Sequence, residues 1–310
     1  MRQLRFLQYD VFTDRPFTGN QLAVFVAAEG LSSVTMQAIA QEMNYSESTF
    51  VLPATDPRAL VRVRIFTPAA ELPFAGHPTI GTTFALAHER RIRAGDASPV
   101  QLLLNIGLLP VDVLFEGENL SYAWMRQPLP EFRAWTGQRE RLAAAVGLDV
   151  ADLAGDLPIE RGSAGVPFVY IPVRDRAALA KARPGPDLVA SLADESPQVG
   201  AYLFAHDAES GSARSRMFGL AMGIAEDPAT GSAAGPFGAY LLRHGRLSPD
   251  ERGESHLQIA QGVEMGRASK LEVAITGAAD NIREVRVGGT SVLVAEGTLL
   301  APDDDAATEA

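Results

Sequence analysis

The chain has 310 residues, of which 46% are hydrophobic and 21% charged, as in a folded globular protein large enough for two domains. A net charge of −11, without clusters of Lys or Arg, argues against nucleic acid or an anionic membrane as a partner. The chain contains no cysteine, which excludes disulfides, thiol nucleophiles and Cys-ligated metal centres.

The beginning of the chain gives no sign of export or membrane insertion. Met1–Phe12 has the pattern of a strand and lacks the charged and apolar blocks of a signal peptide. No stretch approaches the ~18 uninterrupted apolar residues of a membrane helix. The sequence therefore predicts a cytoplasmic protein with no membrane partner.

The first predicted elements are two strands, a helix and a third strand. Leu4–Phe12 and Gln21–Ala27 alternate as strands, and Leu31–Met43 has helical periodicity. The polar and aromatic stretch Asn44–Thr49 then leads to the apolar strand Phe50–Leu52. Polar residues between a helix and a strand are typical of the rim of a cleft.

The stretch Arg62–Leu86 combines a strand, a turn-rich loop and a helix. RVRIF alternates as a strand, TPAAELPFAGHP contains three prolines, and a helix is predicted to start near His77. The first backbone N–H groups of a helix lack partners within the helix, so such a start can bind an anion.

The same design occurs a second time, in Arg214–Leu241. Arg-x-Arg-x-Phe, a proline-containing loop and a small-residue helix start recur in that order, the second loop being slightly longer. The matched positions are Arg62, Arg64, Phe66, Gly76, His77 and Leu86 with Arg214, Arg216, Phe218, Gly231, Ser232 and Leu241. This repeat predicts two similar halves whose helix starts face one cleft.

The remaining patterns are mostly strands, so the predicted fold class is α+β. Residues 1–126 form the predicted N-terminal half, completed by the last strand at about 290–300. Residues 133–289 form the C-terminal half, after a proline-containing linker at 127–132, and 301–310 form an acidic tail. Short helices are predicted at Arg139–Val146, Asp149–Leu157, Arg176–Ala182 and Pro186–Ala193. No G-x-G-x-x-G dinucleotide fingerprint follows a strand.

Glu47 is the first candidate for acid/base chemistry. Its neighbours are weakly polar, and no basic residue lies within ten positions on either side. A carboxyl group buried in such surroundings has a raised pKa and can move protons near neutral pH. The alternative is an ordinary surface or helix-end glutamate.

His77 and Asp227 are the second and third candidates. His77, at a predicted helix start after Gly76, is either an acid/base or hydrogen-bonding group or a helix cap or core histidine. Asp227, in Glu-Asp-Pro-Ala-Thr-Gly-Ser, is either a proton-transfer partner or a turn aspartate. Gly231 and Ser232 offer backbone amides or close helix packing. The other four histidines are scattered, without metal-ligand spacing.

Six motifs, in order along nearly the whole chain, resemble the PhzF-like (phenazine biosynthesis) isomerase family. They are YDVFTDRPFTGNQLAVF, NYSESTFVLP, RIFTPAAELPFAGHPTIGT, EDPATGSAAGPFGAYL, QGVEMGRASKLEV and VRVGGTSVLVAEGTL. The resemblance implies the diaminopimelate-epimerase-like fold: two pseudo-symmetric domains, each a barrel-like antiparallel sheet around a central helix, with the active site between them. It also implies a homodimer that uses no cofactor or metal.

The resemblance further implies roles for individual residues. Glu47 would be the proton-transferring carboxylate, with His77 and Asp227 as its polar partners. The substrate site would be lined by Ser46, Gly76, Gly231 and Ser232. Related epimerases and racemases use two cysteines, and this chain has none, so their two-thiol mechanism cannot operate.

The leading hypothesis is a cofactor-independent isomerase that moves a proton on a small carboxylate, with Glu47 as the acid/base group. One alternative is a non-catalytic protein that binds a small carboxylate on the same fold. Another is an epimerase of amino-acid-like substrates.

Overall fold

A computed structural model describes residues 1–192 and 199–302. Within these ranges the strands are β1 (Arg2–Val11), β2 (Asn20–Phe25), β3 (Glu47–Leu52), β4 (Val61–Phe66), β5 (Glu71–Leu72), β6 (Val100–Leu104), β7 (Gly107–Glu116), β8 (Asn119–Gln127), β9 (Glu131–Ala134), β10 (Glu160–Ser163), β11 (Pro167–Pro172), β12 (Gly200–Asp207), β13 (Ser212–Gly219), β14 (Ile224–Asp227), β15 (Glu254–Gln261), β16 (Ser269–Ala278), β17 (Asn281–Gly289) and β18 (Ser291–Ala301).

Strands outweigh helices, as the α+β prediction requires. The α-helices are α1 (Ser33–Met43), α2 (Gly76–His88), α3 (Arg139–Ala145), α4 (Arg176–Lys181), α5 (Asp187–Leu192) and α6 (Gly231–Arg243). No helix among the described residues is long and apolar enough to cross a membrane.

The chain divides into two compact units, Met1–Arg126 with Gly288–Ala310, and Gln127–Val287. The last strand thus belongs to the first unit, where β18 pairs with β1 along its length. Gln127, the first residue of the second unit, ends β8, and Glu131 begins β9.

In the first unit, most strand pairs are antiparallel and two are parallel. β2 pairs in parallel with β3, and β4 with β6, while β1–β2, β3–β4, β4–β5 and β6–β7 are antiparallel. The parallel pair β2–β3 is connected through α1, and the parallel pair β4–β6 through α2. A parallel pair needs a crossover connection, and each helix supplies one.

The second unit repeats this topology strand for strand. β11–β12 and β13–β15 are parallel, while β10–β11, β12–β13, β13–β14 and β15–β16 are antiparallel. Helix α6 crosses between β13 and β15, just as α2 crosses between β4 and β6. The repeat seen in the sequence is therefore a repeat of the fold.

Each unit contains one almost completely buried helix. α2 packs against β1, β2, β3 and β18, and all its residues from Gly76 to Leu86 are buried. α6 packs against β10, β11, β15 and β16, and is buried from Gly231 to Leu242. A helix buried on all sides must be apolar or small all round, which explains the Gly, Ala, Thr and Phe content of both sequences.

One predicted helix differs from the structure. Asp149–Leu157 contains only a short 3₁₀ turn at Val150–Asp152. Ala193, at the end of the predicted helix Pro186–Ala193, lies outside the described residues, as do residues 303–310 of the predicted acidic tail. Ala301, which was assigned to that tail, is instead the buried last residue of β18.

Candidate active site

Glu47 is a buried strand residue. It opens β3, pairs with Leu22 of the neighbouring parallel strand, and is 7% exposed. The surface or helix-end alternative was therefore wrong. The sequence did not predict the first half of this strand, because Glu47, Ser48 and Thr49 are polar although they are buried.

His77 is the second residue of α2, as the sequence predicted for a residue near the helix start. Its imidazole is 2% exposed. A hydrogen bond of 2.9 Å between the hydroxyl groups of Thr49 and Thr82 ties β3 to α2 and helps to fix the spacing of the two elements.

The two elements bring Glu47 and His77 together. Oε2 of Glu47 lies 3.4 Å from Nε2 of His77, with both groups away from solvent. Burial lowers the pKa of His77 to about 3, against a smaller opposing contribution from a hydrogen bond with the backbone of Gln21. The lowered pKa favours the neutral imidazole at physiological pH, beside the carboxyl of Glu47.

Asn20 is a neighbour of His77 that the sequence did not reveal. Its side-chain Nδ2 lies 3.1 Å from Nδ1 of His77, and the residue is 1% exposed. The available signal was a polar residue at the start of an apolar strand, after Thr-Gly. That signal is common in turns and did not separate Asn20 from its neighbours.

Neither buried central helix has a side-chain cap. Ala75, the N-cap of α2, has no capping side chain, and Thr230 at the start of α6 makes no side-chain cap bond. Gly76 and Gly231 therefore open helices whose first backbone N–H groups have no side-chain cap. Ser46, next to Glu47, is half-buried.

In the second unit, Asp227 lies in a polar network with its neighbours. It ends β14, is 4% exposed, and its Oδ2 accepts a hydrogen bond of 2.6 Å from the hydroxyl of Thr230. Gln261 bridges the turn, since its Nε2 donates to the backbone oxygen of Asp227 and to Thr230 Oγ1. Asp227 therefore has the role of a turn aspartate, one of the two alternatives for this residue. Its hydrogen bond with Thr230 also fixes the position of its carboxylate.

A side chain at the end of β8, that of Gln127, contacts the first residue of α6. Nε2 of Gln127 donates a hydrogen bond of 2.8 Å to the backbone oxygen of Gly231. Ser232, the next residue, is 7% exposed. A Cβ atom at Gly235, one turn further, would collide with Oε1 of Gln127, so close packing of small residues also applies here.

The repeat allows the two units to be compared position by position. Ser48 pairs with Phe66, and Ala201 with the matching Phe218, so Gly200 corresponds to Glu47. Since α2 and α6 both have 13 residues and begin with glycine, Ser232 corresponds to His77. The carboxyl–imidazole pair is therefore present in the first unit and has no counterpart at these positions of the second.

The second arginine of each repeated strand motif forms an ion pair with a glutamate of its own unit. Arg64 binds Glu71 in the first unit, and Arg216 binds the matching Glu226 in the second. Arg216 is 3% exposed. Each guanidinium also lies about 5 Å above a phenylalanine ring, at 5.0 Å for Phe66 and 4.9 Å for Phe218.

No group of His, Asp or Glu in the described ranges could hold a metal ion.

Comparison with known proteins places the chain in a family. The family model described as phenazine biosynthesis-like protein matches residues 9–297. Trans-2,3-dihydro-3-hydroxyanthranilate isomerase of Pseudomonas aeruginosa is 37% identical over 294 residues, which cover 94% of this chain and 98% of that protein.

Solved structures agree with that assignment. A phenazine biosynthesis protein of the PhzF family from Bacillus anthracis has a TM-score of 0.84 at 30% identity, covering 97% of this chain and all of the other. A predicted epimerase from Pseudomonas aeruginosa has a TM-score of 0.79 at 38% identity, covering 96% and 99%. The chain belongs to the PhzF-like family of phenazine biosynthesis-like isomerases.

Proposed function

We propose that this isomerase works without a cofactor and moves a proton on a small carboxylate, with Glu47 as the acid/base group. The observation that carries the proposal is the buried pair formed by Glu47 and His77, with 3.4 Å between Oε2 and Nε2. A buried carboxyl within reach of a substrate C–H can accept a proton, and a neutral imidazole can stabilise the resulting changes of charge.

The proposed reaction proceeds in two steps. The carboxylate of Glu47 removes a proton from an acidic C–H of the substrate, and the electron pair of that bond delocalises into the adjoining conjugated system. Glu47, now a carboxylic acid, exchanges its proton with solvent and delivers a proton to a different carbon, so that substrate and product have the same composition. His77 stays neutral throughout, because its pKa is about 3.

The difference between the two units supports a single proton carrier. An epimerase that inverts a stereocentre by two opposed groups needs an acid and a base on both faces of the carbon. The second unit has Gly200 and Ser232 where the first has Glu47 and His77. One carboxyl that removes and returns the proton on the same face suits a proton shift.

The other candidate residues are proposed to bind the substrate. The backbone N–H groups at Gly76 and Gly231 would donate hydrogen bonds to its carboxylate oxygens, with Ser46 and Ser232 as further hydrogen-bonding groups. Asp227 is proposed to bind a polar group of the same substrate, on the strength of the family resemblance.

A homodimer in the cytoplasm stays a prediction from the sequence, to be measured by light scattering and cell fractionation.

Solvent deuterium incorporation tests the proposal. The protein is incubated in deuterated buffer with trans-2,3-dihydro-3-hydroxyanthranilate, the substrate named for the relative, and with other small carboxylates. We expect incorporation by the wild type and a loss of at least ~100-fold in kcat for Glu47→Gln. The exposed Glu42, changed to Gln, is the matched control and should keep full activity.

Each outcome is informative. Retained activity in Glu47→Gln would remove Glu47 from its proposed role. Binding of a carboxylate, measured by thermal shift, without any deuterium incorporation would favour the non-catalytic binding protein. Incorporation with inversion at a stereocentre would favour an epimerase, the activity predicted for one of the similar structures.

A further inference from the structure

Asn20 lies at the start of β2, directly beside the imidazole of His77. Its side chain is buried, and its Nδ2 is 3.1 Å from Nδ1 of the ring. An amide nitrogen is only a donor, so in this orientation Nδ1 accepts the hydrogen bond. A neutral imidazole carries one proton, which then resides on Nε2. Nε2 is the nitrogen that faces Oε2 of Glu47.

We propose that Asn20 is a positioning residue that holds His77 in the Nε2-protonated tautomer, so that the ring presents its Nε2–H to Oε2 of Glu47, 3.4 Å away. This inference rests on the proposed function. The opposite tautomer would turn a lone pair of Nε2 towards the carboxylate oxygen, and would stabilise Glu47 only in its protonated state. Asn20 would thereby favour the ionised, basic form of Glu47.

The loop before Asn20 is itself tied to the strand that precedes it. The carboxylate of Asp10, on β1, accepts a hydrogen bond of 2.6 Å from the backbone N–H of Phe17. The hydroxyl groups of Thr13 and Thr18 lie 2.5 Å apart. Gly19 has a φ of +69°, and a Cβ atom there would collide with the backbone oxygen of Val11. These contacts fix the loop and hence the place of the Asn20 amide.

The backbone of Gln21 is the competing partner. Its hydrogen bond raises the pKa of His77, as a carbonyl acceptor does, and an acceptor at Nδ1 would favour the opposite tautomer. The two partners therefore predict different positions for the single proton. That position is measurable without any substrate.

Long-range ¹H–¹⁵N NMR of protein labelled with ¹⁵N-histidine decides between them at neutral pH. The chain has 5 histidines, and the His77 signals are those lost in His77→Gln. We expect the pattern of a neutral ring protonated at Nε2 in the wild type. In Asn20→Asp, the new carboxylate accepts from Nδ1–H, so the proton should move from Nε2 to Nδ1. Asn44→Asp, the same exchange at the C-cap of α1, should leave the tautomer unchanged.

A wild-type ring protonated at Nδ1 would overturn the proposal, even if Asn20→Asp failed to fold. An unchanged ring in a folded Asn20→Asp variant would overturn it too. In the deuterium assay, we expect Asn20→Asp to lower kcat at least ~10-fold with little change in KM, because Glu47 loses its donor. If the NMR result holds but the wild type incorporates no deuterium, the proposed function fails and the tautomer assignment stands. If deuterium is incorporated but the tautomer is not as expected, the positioning role alone fails.

Discussion

Arg216 and Glu226 form a two-pronged ion pair, and Glu226 directly precedes Asp227 in β14. Nε and Nη2 of the guanidinium each donate a hydrogen bond of 2.8 Å to the two carboxylate oxygens. Nη1 also donates to the backbone oxygens of Leu179 and Ala182, so all three nitrogens of the buried guanidinium donate hydrogen bonds. The pair ties β14 to β13 and so fixes the strand that carries Asp227.

Loss of one partner of this pair should be costly. Glu226→Gln leaves a buried guanidinium without its counter-charge, so we expect the free energy of unfolding to fall by about 3–5 kcal/mol. Arg58, largely exposed, pairs with Asp56 at 2.7 Å and provides the control. Arg58→Gln should cost much less, because an ion pair at the surface is screened by solvent. Urea unfolding monitored by circular dichroism measures both; equal costs would contradict the structural role given to Arg216.

The depressed pKa of His77 predicts how stability depends on pH. The pKa is about 3 in the folded chain and 6.5 for an unperturbed histidine. Between these values the unfolded state binds a proton that the folded state does not, so stability falls as the pH falls. The slope contributed by one proton is about 1.4 kcal/mol per pH unit at most.

Replacement of His77 by Gln should remove that slope. We expect the difference in unfolding free energy between wild type and His77→Gln to be constant above about pH 7.5 and to decline as the pH drops from 6.5 towards 3. His256, which is largely exposed, is the control, and His256→Gln should follow the wild type. Parallel curves for wild type and His77→Gln would mean that the folded imidazole titrates normally.

Gly200 is packed so tightly that its position cannot accept a side chain. A Cβ atom there would lie 2.8 Å from Cδ1 of Phe168, whose own ring is buried. Gly200→Ala should therefore destabilise the fold by about 1–3 kcal/mol, the usual cost of overpacking a core. Gly155, which has open space around it, provides the control, and Gly155→Ala should be neutral or slightly stabilising. Thermal unfolding compares the two; a neutral Gly200→Ala would contradict the tight packing described here.

The hydroxyl of Thr230 holds Asp227 and Gln261 in place. Thr230→Val removes a donor to Asp227 and an acceptor for Gln261 while keeping the shape, so we expect a loss of about 1–3 kcal/mol of stability. Thr230→Ser keeps the hydroxyl and should stay within ~1 kcal/mol of wild type. If Asp227 binds substrate, Thr230→Val should also raise KM in the deuterium assay more than Thr230→Ser does. Equal KM values for the two variants would show that the hydrogen bonds of the Thr230 hydroxyl do not contribute to substrate binding.

Much of the fold was predictable because its signals are local. The strand Val61–Phe66, the start of α2 at Gly76 and the corresponding pieces of the second copy are visible from alternation, prolines and small residues. The last strand was assigned to the first half, where β18 pairs with β1. The short helix predicted at Asp149–Leu157 failed, because its apolar residues pack as part of an irregular segment after one 3₁₀ turn.

The candidate site was predictable only in part. Residue types and positions in the motifs singled out Glu47, His77 and Asp227. Their burial, the approach of Glu47 to His77 and the contact with Asn20 were not visible, because each depends on residues far apart in the chain. The 3.1 Å contact of Asn20, for example, joins positions 57 apart.

The sequence by itself determined the duplicated plan, the two glycine-led helix starts, the absence of thiol chemistry and the family. These follow from local patterns and from residue types that are either present or absent. Only the tertiary structure decided which polar groups are removed from water. It buries Glu47 beside His77, and it buries Arg216 in an ion pair with Glu226. The physical reason is that desolvation and charge pairing depend on what packs against a group, and that is set by strand pairing over long distances in the chain.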